Sequence, residues 1–174
     1  MSRLNAYAGR ALRYIRQYGG ASLYRKIRER KERNRAERDY ALWLASQLPD
    51  EQETARQRGV VFPYTPCISI LVPAYETPEA YLRQMIESVL SQSYKELELC
   101  IADGSPSDRV ERVAREYARR DARVRYRKLE KNLGISENTN IALSMAGGEY
   151  VGLLDHDDLL LPGALFAVAR ALND

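Results

Sequence analysis

The chain has 174 residues, of which 45% are hydrophobic and 29% charged, with two cysteines and a formal net charge of +3. That length supports one sizeable core, and the composition is neither that of a disordered chain nor that of a disulfide scaffold. No apolar run approaches the roughly 18 to 20 residues needed to cross a bilayer, so the expectation is a soluble or peripheral protein.

Charge is unevenly placed. Residues 1–60 carry 14 Lys/Arg against 7 Asp/Glu, whereas residues 61–174 carry 13 against 17. The pattern predicts a basic helical arm over 1–60 joined to a mildly acidic body over 66–174. In the arm, Leu4, Ala8, Ala11, Leu12 and Ile15 recur at helical spacing with Arg3, Arg10, Arg13 and Arg16 on other faces, and Gly19 and Gly20 end the helix. A second, more polar helix runs from Ser22 to a stop at Pro49, with Glu29/Arg33 and Arg35/Asp39 at i,i+4 spacing. Such an arm fits a solvated or packed helical extension, a basic helix lying on an anionic membrane surface through residues 1–38, or an organellar transit peptide. No aromatic reading residues or recognised motif accompany the arginines, so nucleic acid is not expected as a partner.

From Cys67 the pattern becomes regular. The β-branched run 67–72 predicts a strand ending at Pro73, and Leu82, Met85, Ile86, Val89 and Leu90 mark an amphipathic helix. Residues 97–102 predict a second strand, with Val110, Val113, Ala114 and Tyr117 on the helix after it. Residues 123–129 alternate as a half-exposed edge strand does. A short helix over 136–146 with Ser136 as N-cap precedes a fourth, buried strand over 149–154, and Pro162 opens a last helix over 162–172. Alternating strands and helices imply an α/β fold, a Rossmann-like, mostly parallel sheet covered on both faces. Cys67 and Cys100 lie in strand-like runs, form no CxxC pair and follow no secretory leader, so they read as free core thiols of a reducing compartment.

Ligands of such sheets bind outside the carboxyl ends of the strands, where this sequence places Tyr75 and Glu76, Asp103, and the run Asp155, His156, Asp157, Asp158. Clustered carboxylates repel one another, and a divalent cation relieves that repulsion. All-oxygen donors suit Mg²⁺ or Mn²⁺, which commonly bridge to substrate phosphates, so a nucleotide diphosphate is the natural second ligand. Taken alone, the Asp-x-Asp also fits a solvated turn in which Asp157 or Asp158 caps the next helix. His156 reads as a spacer between the aspartates, with metal ligation as the lesser alternative.

The blocks ISILVPAYETPEAYLRQMIESVLSQSYKELELCIADGSPSD, KNLGISENTNIAL and GEYVGLLDHDDLLLPGAL, in that order, resemble the nucleotide-sugar half of family 2 glycosyltransferases with the GT-A fold. The resemblance covers about residues 66–174. It implies that Pro73, Tyr75 and Glu76 form the strand-one loop, with the tyrosine against the nucleobase, and that Asp103 reads the base or ribose. It further implies that Asn132, Gly134 and Asn140 line the same pocket, that Asp155 and Asp157 are the DXD motif, with Asp155 near the ribose and the metal and Asp157 on the metal, and that Mn²⁺ or Mg²⁺ is the cofactor. Two departures stand out: Ala102 replaces an aspartate common in the family, and Glu76 stands where many members have asparagine.

The implied activity is metal-dependent, inverting transfer of a sugar from a UDP- or dTDP-sugar to a hydroxyl of a glycan or lipid-linked acceptor, within bacterial surface polysaccharide synthesis. The implied location is cytoplasmic, peripheral to the inner face of the membrane. Family order puts the acceptor-binding half and the catalytic base after the DXD motif. The base is therefore expected beyond Asp174, and the chain is expected to be truncated before the acceptor half and inactive alone. The other reading is a non-catalytic nucleotide-sugar-binding fragment or peripheral membrane module.

Overall fold

The computed structural model describes residue 14 and residues 16–174; the predicted first helix lies mostly on residues 1–13 and 15, outside them. The chain divides into two units at Gln47/Leu48. Gly19 is left-handed (φ 81°), and the first unit continues as a 28-residue helix, α1 (Gly20–Gln47). Four i,i+4 pairs run along it: Arg25–Glu29, Arg28–Glu32, Arg33–Glu37 and Arg35–Asp39. The predicted Arg35/Asp39 pair forms, whereas Glu29 turns back to Arg25 instead of forward to Arg33.

Residues 48–60, assigned to the arm from their charge, belong to the second unit. Pro49 is followed at once by a short helix, α2 (Glu51–Arg58), whose N-cap Asp50 accepts a 2.7 Å bond from the Glu53 N–H. The Asp50/Glu53 spacing was a readable start signal that the helical stop at Pro49 concealed. Beyond α2, Phe62 packs on Phe166 and Tyr94, and Asn173 bonds both the N–H and the C=O of Tyr64.

The body continues β1 (Ile68–Ala74), α3 (Glu79–Leu90), β2 (Leu97–Asp103), α4 (Arg109–Arg120), β3 (Val124–Lys128), α5 (Ile135–Met145), β4 (Tyr150–Leu153) and α6 (Ala164–Ala171). The four strands form one parallel sheet in the order β3-β2-β1-β4. Alternate residues of β1 and β2 serve opposite faces. Ile70, Val72, Leu99 and Ile101 join a core with Leu82, Met85, Ile86, Val110, Val113 and Phe166, while Leu71, Cys100 and Ala102 meet Ala142 of α5 on the other side. Burial on both faces is why these strands read as continuous apolar runs.

Three predicted boundaries and one predicted burial change, each for a local reason. β1 runs through Pro73, which is tolerated in a central strand because Pro73 shares the direction of Leu71, whose carbonyl accepts from Leu154, and β4 pairing has ended by then. Ser136 lies inside α5; the N-cap is Gly134 at φ 88°. Helix α6 begins at Ala164 instead of Pro162, because Gly163 takes a left-handed φ of 77° that a helix cannot contain. β4 is an exposed edge strand, with Val151 50% and Leu153 75% exposed, which corrects the expectation of a buried one. Cys67 and Cys100 are free thiols, and burial pushes Cys100 up to about 11.

The entry of β4 is held by a buried carboxylate. Glu98, 6% exposed, accepts from Ser69 Oγ at 2.6 Å and from the N–H groups of Gly147 and Gly148, and Arg125 lies 3.0 Å from its second oxygen. A Cβ on Gly148 would stand 2.6 Å from the Cys67 carbonyl and Ser69 Oγ, so only glycine permits this approach. Burial alone would push the Glu98 carboxyl up, but the bonds from Ser69 and the glycine amides, with Arg125, hold it below the usual range. Its stabilising effect is then complete above the unfolded glutamate value of about 4.3 and is lost as pH falls through the lower folded value. Glu98→Gln should cost about 2 kcal/mol in urea unfolding at neutral pH, and the gap between the two proteins should close as the pH is lowered below about 4.

Candidate functional site

Strand order dictates where a ligand can enter. From β1 the chain steps outward through β2 to β3, with α3 and α4 on one face. It then crosses back along the opposite face through α5 to place β4 on the other side of β1. The direction of winding reverses between β1 and β4, and at such a switch point the loops diverge and leave a crevice.

A cleft of about 250 Å³ lies there, lined by Pro73 and Tyr75 after β1, Asn132, Ile135 and Asn138 around the start of α5, and Asp155, His156 and Asp157 after β4. Five of the sequence-predicted residues are therefore brought together: Pro73, Tyr75, Asn132, Asp155 and Asp157. Glu76, Asp103, Gly134 and Asn140 are not among the lining residues.

The reasons differ. Asp103 ends β2, one strand removed from the switch point, and is fully buried. One oxygen accepts from the Ser105 N–H at 2.8 Å, and the other from Tyr126 Oη at 2.8 Å and Lys128 Nζ at 3.1 Å. Burial, with Asp103 alongside, pushes the Tyr126 phenol well above its ordinary range, so it remains a donor. The carboxylate of Glu76 accepts from the Ser107 N–H. Gly134 supplies the left-handed turn into α5, its N–H on Asn132 Oδ1 at 3.0 Å, and Asn140 is exposed on that helix.

Asn138 was not anticipated from the sequence. It is 2% exposed, donates to Asn132 Oδ1 at 2.9 Å and accepts from the Leu133 N–H at 3.2 Å, so it shapes the loop that walls the cleft. Its spacing of four and seven residues before Ala142 and Met145 put an amide on the apolar stripe of α5, a readable sign of a buried polar group with a task. Gly104 completes this corner, since a Cβ there would lie 3.0 Å from Asn132 Cα and from Asn138 Nδ2.

The aspartate segment is a turn in which the Asp158 N–H bonds the Asp155 carbonyl at 3.2 Å, and the next helix is capped by Gly163, so neither Asp157 nor Asp158 is its N-cap. Asp155 and Asp157 are exposed to the cleft. His156 Nδ1 is buried without a hydrogen bond, 3.9 Å from Asp157 Oδ1. Among the described residues no three His, Cys, Asp or Glu side chains converge as a protein-only metal cage. Two carboxylates at an open cleft wall fit a hard cation whose remaining ligands are waters and phosphate oxygens. With no lysine or arginine on the lining, a diphosphate would need that cation.

Asn138→Ala leaves the Leu133 N–H without its acceptor. It should destabilise the body by about 1 to 2 kcal/mol and speed amide exchange at Leu133 and Gly134 beyond that of the sheet amides; uniform exchange across the body would place the role of Asn138 elsewhere.

Comparison with known proteins agrees with this architecture. The profile described as Glycosyl transferase family 2 matches residues 69–174. An uncharacterized protein of Sinorhizobium fredii is 48% identical over 109 residues, 62% of this chain and 12% of that protein. Among solved structures, a mannosyltransferase of Pyrobaculum calidifontis in complex with GDP-Man and Mn²⁺ matches with a TM-score of 0.56 at 21% identity, covering 70% of this chain and 38% of that one. TarS of S. aureus (residues 1–349) in complex with UDP-GlcNAc matches with a TM-score of 0.54 at 29% identity, covering 60% and 30%. The chain spans only 10 to 35% of the length of the first curated relatives it matches.

Proposed function

The chain belongs to glycosyl transferase family 2, and from that premise we propose that its body binds a nucleotide-diphosphate sugar in the β1/β4 cleft as the donor-side half of a metal-dependent, inverting glycosyltransferase. The observation that carries this reading is the placement of Asp155 and Asp157 across from Tyr75 and Asn132 at the switch point of a parallel sheet. Tyr75, 46% exposed, offers a ring face for a nucleobase, with UDP- or dTDP-sugars as the donors. Asn132 and Pro73 bound the space beside it.

Asp155 and Asp157 are the residues that would hold Mn²⁺ or Mg²⁺, which when bound supplies positive charge for the leaving diphosphate. The neighbouring structure with GDP-Man and Mn²⁺ and the one with UDP-GlcNAc support such a ligand set. The acceptor would be a hydroxyl of a glycan or lipid-linked saccharide, in surface polysaccharide synthesis. No cleft residue is assigned as the base that deprotonates it. The alternative is a module that binds the donor without transferring its sugar.

Calorimetry with UDP in Mn²⁺ and in EDTA tests the reading. Wild type should bind at least tenfold more tightly with the metal, a difference of about 1.4 kcal/mol or more, and Asp157→Ala should erase that difference. Equal affinity in EDTA for both proteins would remove the metal assignment.

The arm supports a second element, peripheral attachment to an anionic membrane surface from the cytoplasmic side. At about 100° per residue, Lys26, Arg30, Lys31 and Arg38 fall within an arc of about 140° that holds one acid, Glu37, while the other three acids of the four pairs lie on the opposite side. Arg30, Lys31 and Arg38 have no ion-pair partner among the described residues, and α1 has no continuous apolar stripe to insert, so the attraction would be electrostatic.

In flotation with vesicles containing phosphatidylserine, binding of the whole chain should fall as salt is raised. The triple change of Arg30, Lys31 and Arg38 to Gln should weaken it by about 3 kcal/mol, near 1 kcal/mol for each cation. Flotation that ignores both salt and the substitutions would leave α1 as a solvated extension.

A further inference from the structure

The loop that carries Tyr75 is pinned on either side of it. The Ala74 carbonyl accepts from the Gly104 N–H at 2.9 Å, and Thr77 is fully buried. Between them Glu76 has a φ of 48°, the only positive φ of a non-glycine residue among the described residues. A glutamate does not favour that conformation, so surrounding bonds must hold it.

Those bonds are present. The Glu76 N–H donates to Ser105 Oγ at 2.7 Å, and Glu76 Oε1 accepts from the Ser107 N–H at 3.1 Å. The other side of Ser107 is also gripped, since its carbonyl accepts from Lys128 Nζ at 2.7 Å, and Lys128 in turn bonds the buried Asp103. Ser105 is tied to Asp103 through its N–H. A continuous chain of hydrogen bonds therefore runs from Glu76 across the loop after β2 to the end of β3. The bond from the Ser107 N–H, with Arg109 and Lys128 nearby, holds the Glu76 carboxyl below its usual range.

We propose that Glu76 is a positioning residue: it straps the β1 loop to the β2 loop and so sets the ring of Tyr75 at the cleft, without itself touching the nucleotide. This rests on the reading of the cleft as a nucleotide-diphosphate site. The Tyr75 side chain is 46% exposed and makes no hydrogen bond among the described residues, so the backbone that the strap holds is the main polar constraint on where its ring lies.

Two variants of the whole chain separate the strap from a direct contact. Glu76→Gln keeps an oxygen that can accept from Ser107 but removes the charge. Glu76→Asn keeps tolerance for the left-handed backbone but is one methylene short of Ser107. Amide exchange at Ser107 is read without nucleotide, and UDP affinity is read by calorimetry in saturating Mn²⁺.

The expected result is slow Ser107 exchange and UDP affinity within about twofold of wild type for Gln, with exchange at least tenfold faster and UDP bound about five- to tenfold more weakly for Asn. The Mn²⁺ concentration for half-maximal UDP binding should be unchanged in both. A Gln variant that binds UDP as weakly as Asn while Ser107 stays protected would overturn the proposal in favour of direct contact through the charge. Unchanged Ser107 exchange in the Asn variant would show that the strap does not exist. Failure of wild type to bind UDP would instead count against the donor reading, and Ser107 exchange would still decide the strap.

Discussion

The buried carboxylate of Glu98 is the interaction on which the placement of β4 depends. β4 is only four residues long and is paired on one side, to β1. Its register is set before it begins, by two glycine amides and Ser69 gathered on Glu98 and by the Gly148 backbone pressed against Cys67. A slip of one residue would turn every side chain of β4 to the other face and carry the aspartate turn about 3.3 Å along the sheet. The chemistry at the carboxyl end of the sheet is thus anchored from its amino end.

At the opposite edge, polar groups divide into those turned inward and those left open. Asp103, Tyr126, Lys128 and the Ser107 carbonyl bond one another and tie the ends of β2 and β3 together. Asn138 does the same for the loop of Asn132, in the space that Gly104 vacates. Among the described residues Asp155 and Asp157 make no comparable bonds to lysine or arginine, and they stay exposed at the cleft. A wall that is stiff where it meets protein and electrostatically unfinished where it meets solvent suits a ligand that arrives with its own cation.

The relatives are much longer than this chain, and the four-stranded sheet leaves the Val151 and Leu153 side chains in solvent. Within the described residues both faces of β1 and β2 are nevertheless covered and the cleft is formed.

Much of this was legible in the sequence because it follows from local periodicity. Apolar runs of strand length, helical stripes such as Leu82 to Leu90 and the turn residues between them determined the α/β alternation, and the family motifs placed Pro73, Tyr75, Asn132, Asp155 and Asp157 together. Helix ends were misjudged at Ser136 and Pro162 because a cap depends on the φ of the adjoining glycine, which residue type alone does not state. Sequence could not say that β4 is an edge, since Val and Leu look alike whether or not another layer covers them. Nor could it separate Asp103 from Asp155, both carboxylates at strand ends. Only the strand order decided that β4 borders the crevice while β2 stands one strand away, and only packing decided that Glu76 and Asp103 turn to protein partners, because those partners lie on other loops and strands brought near by the fold.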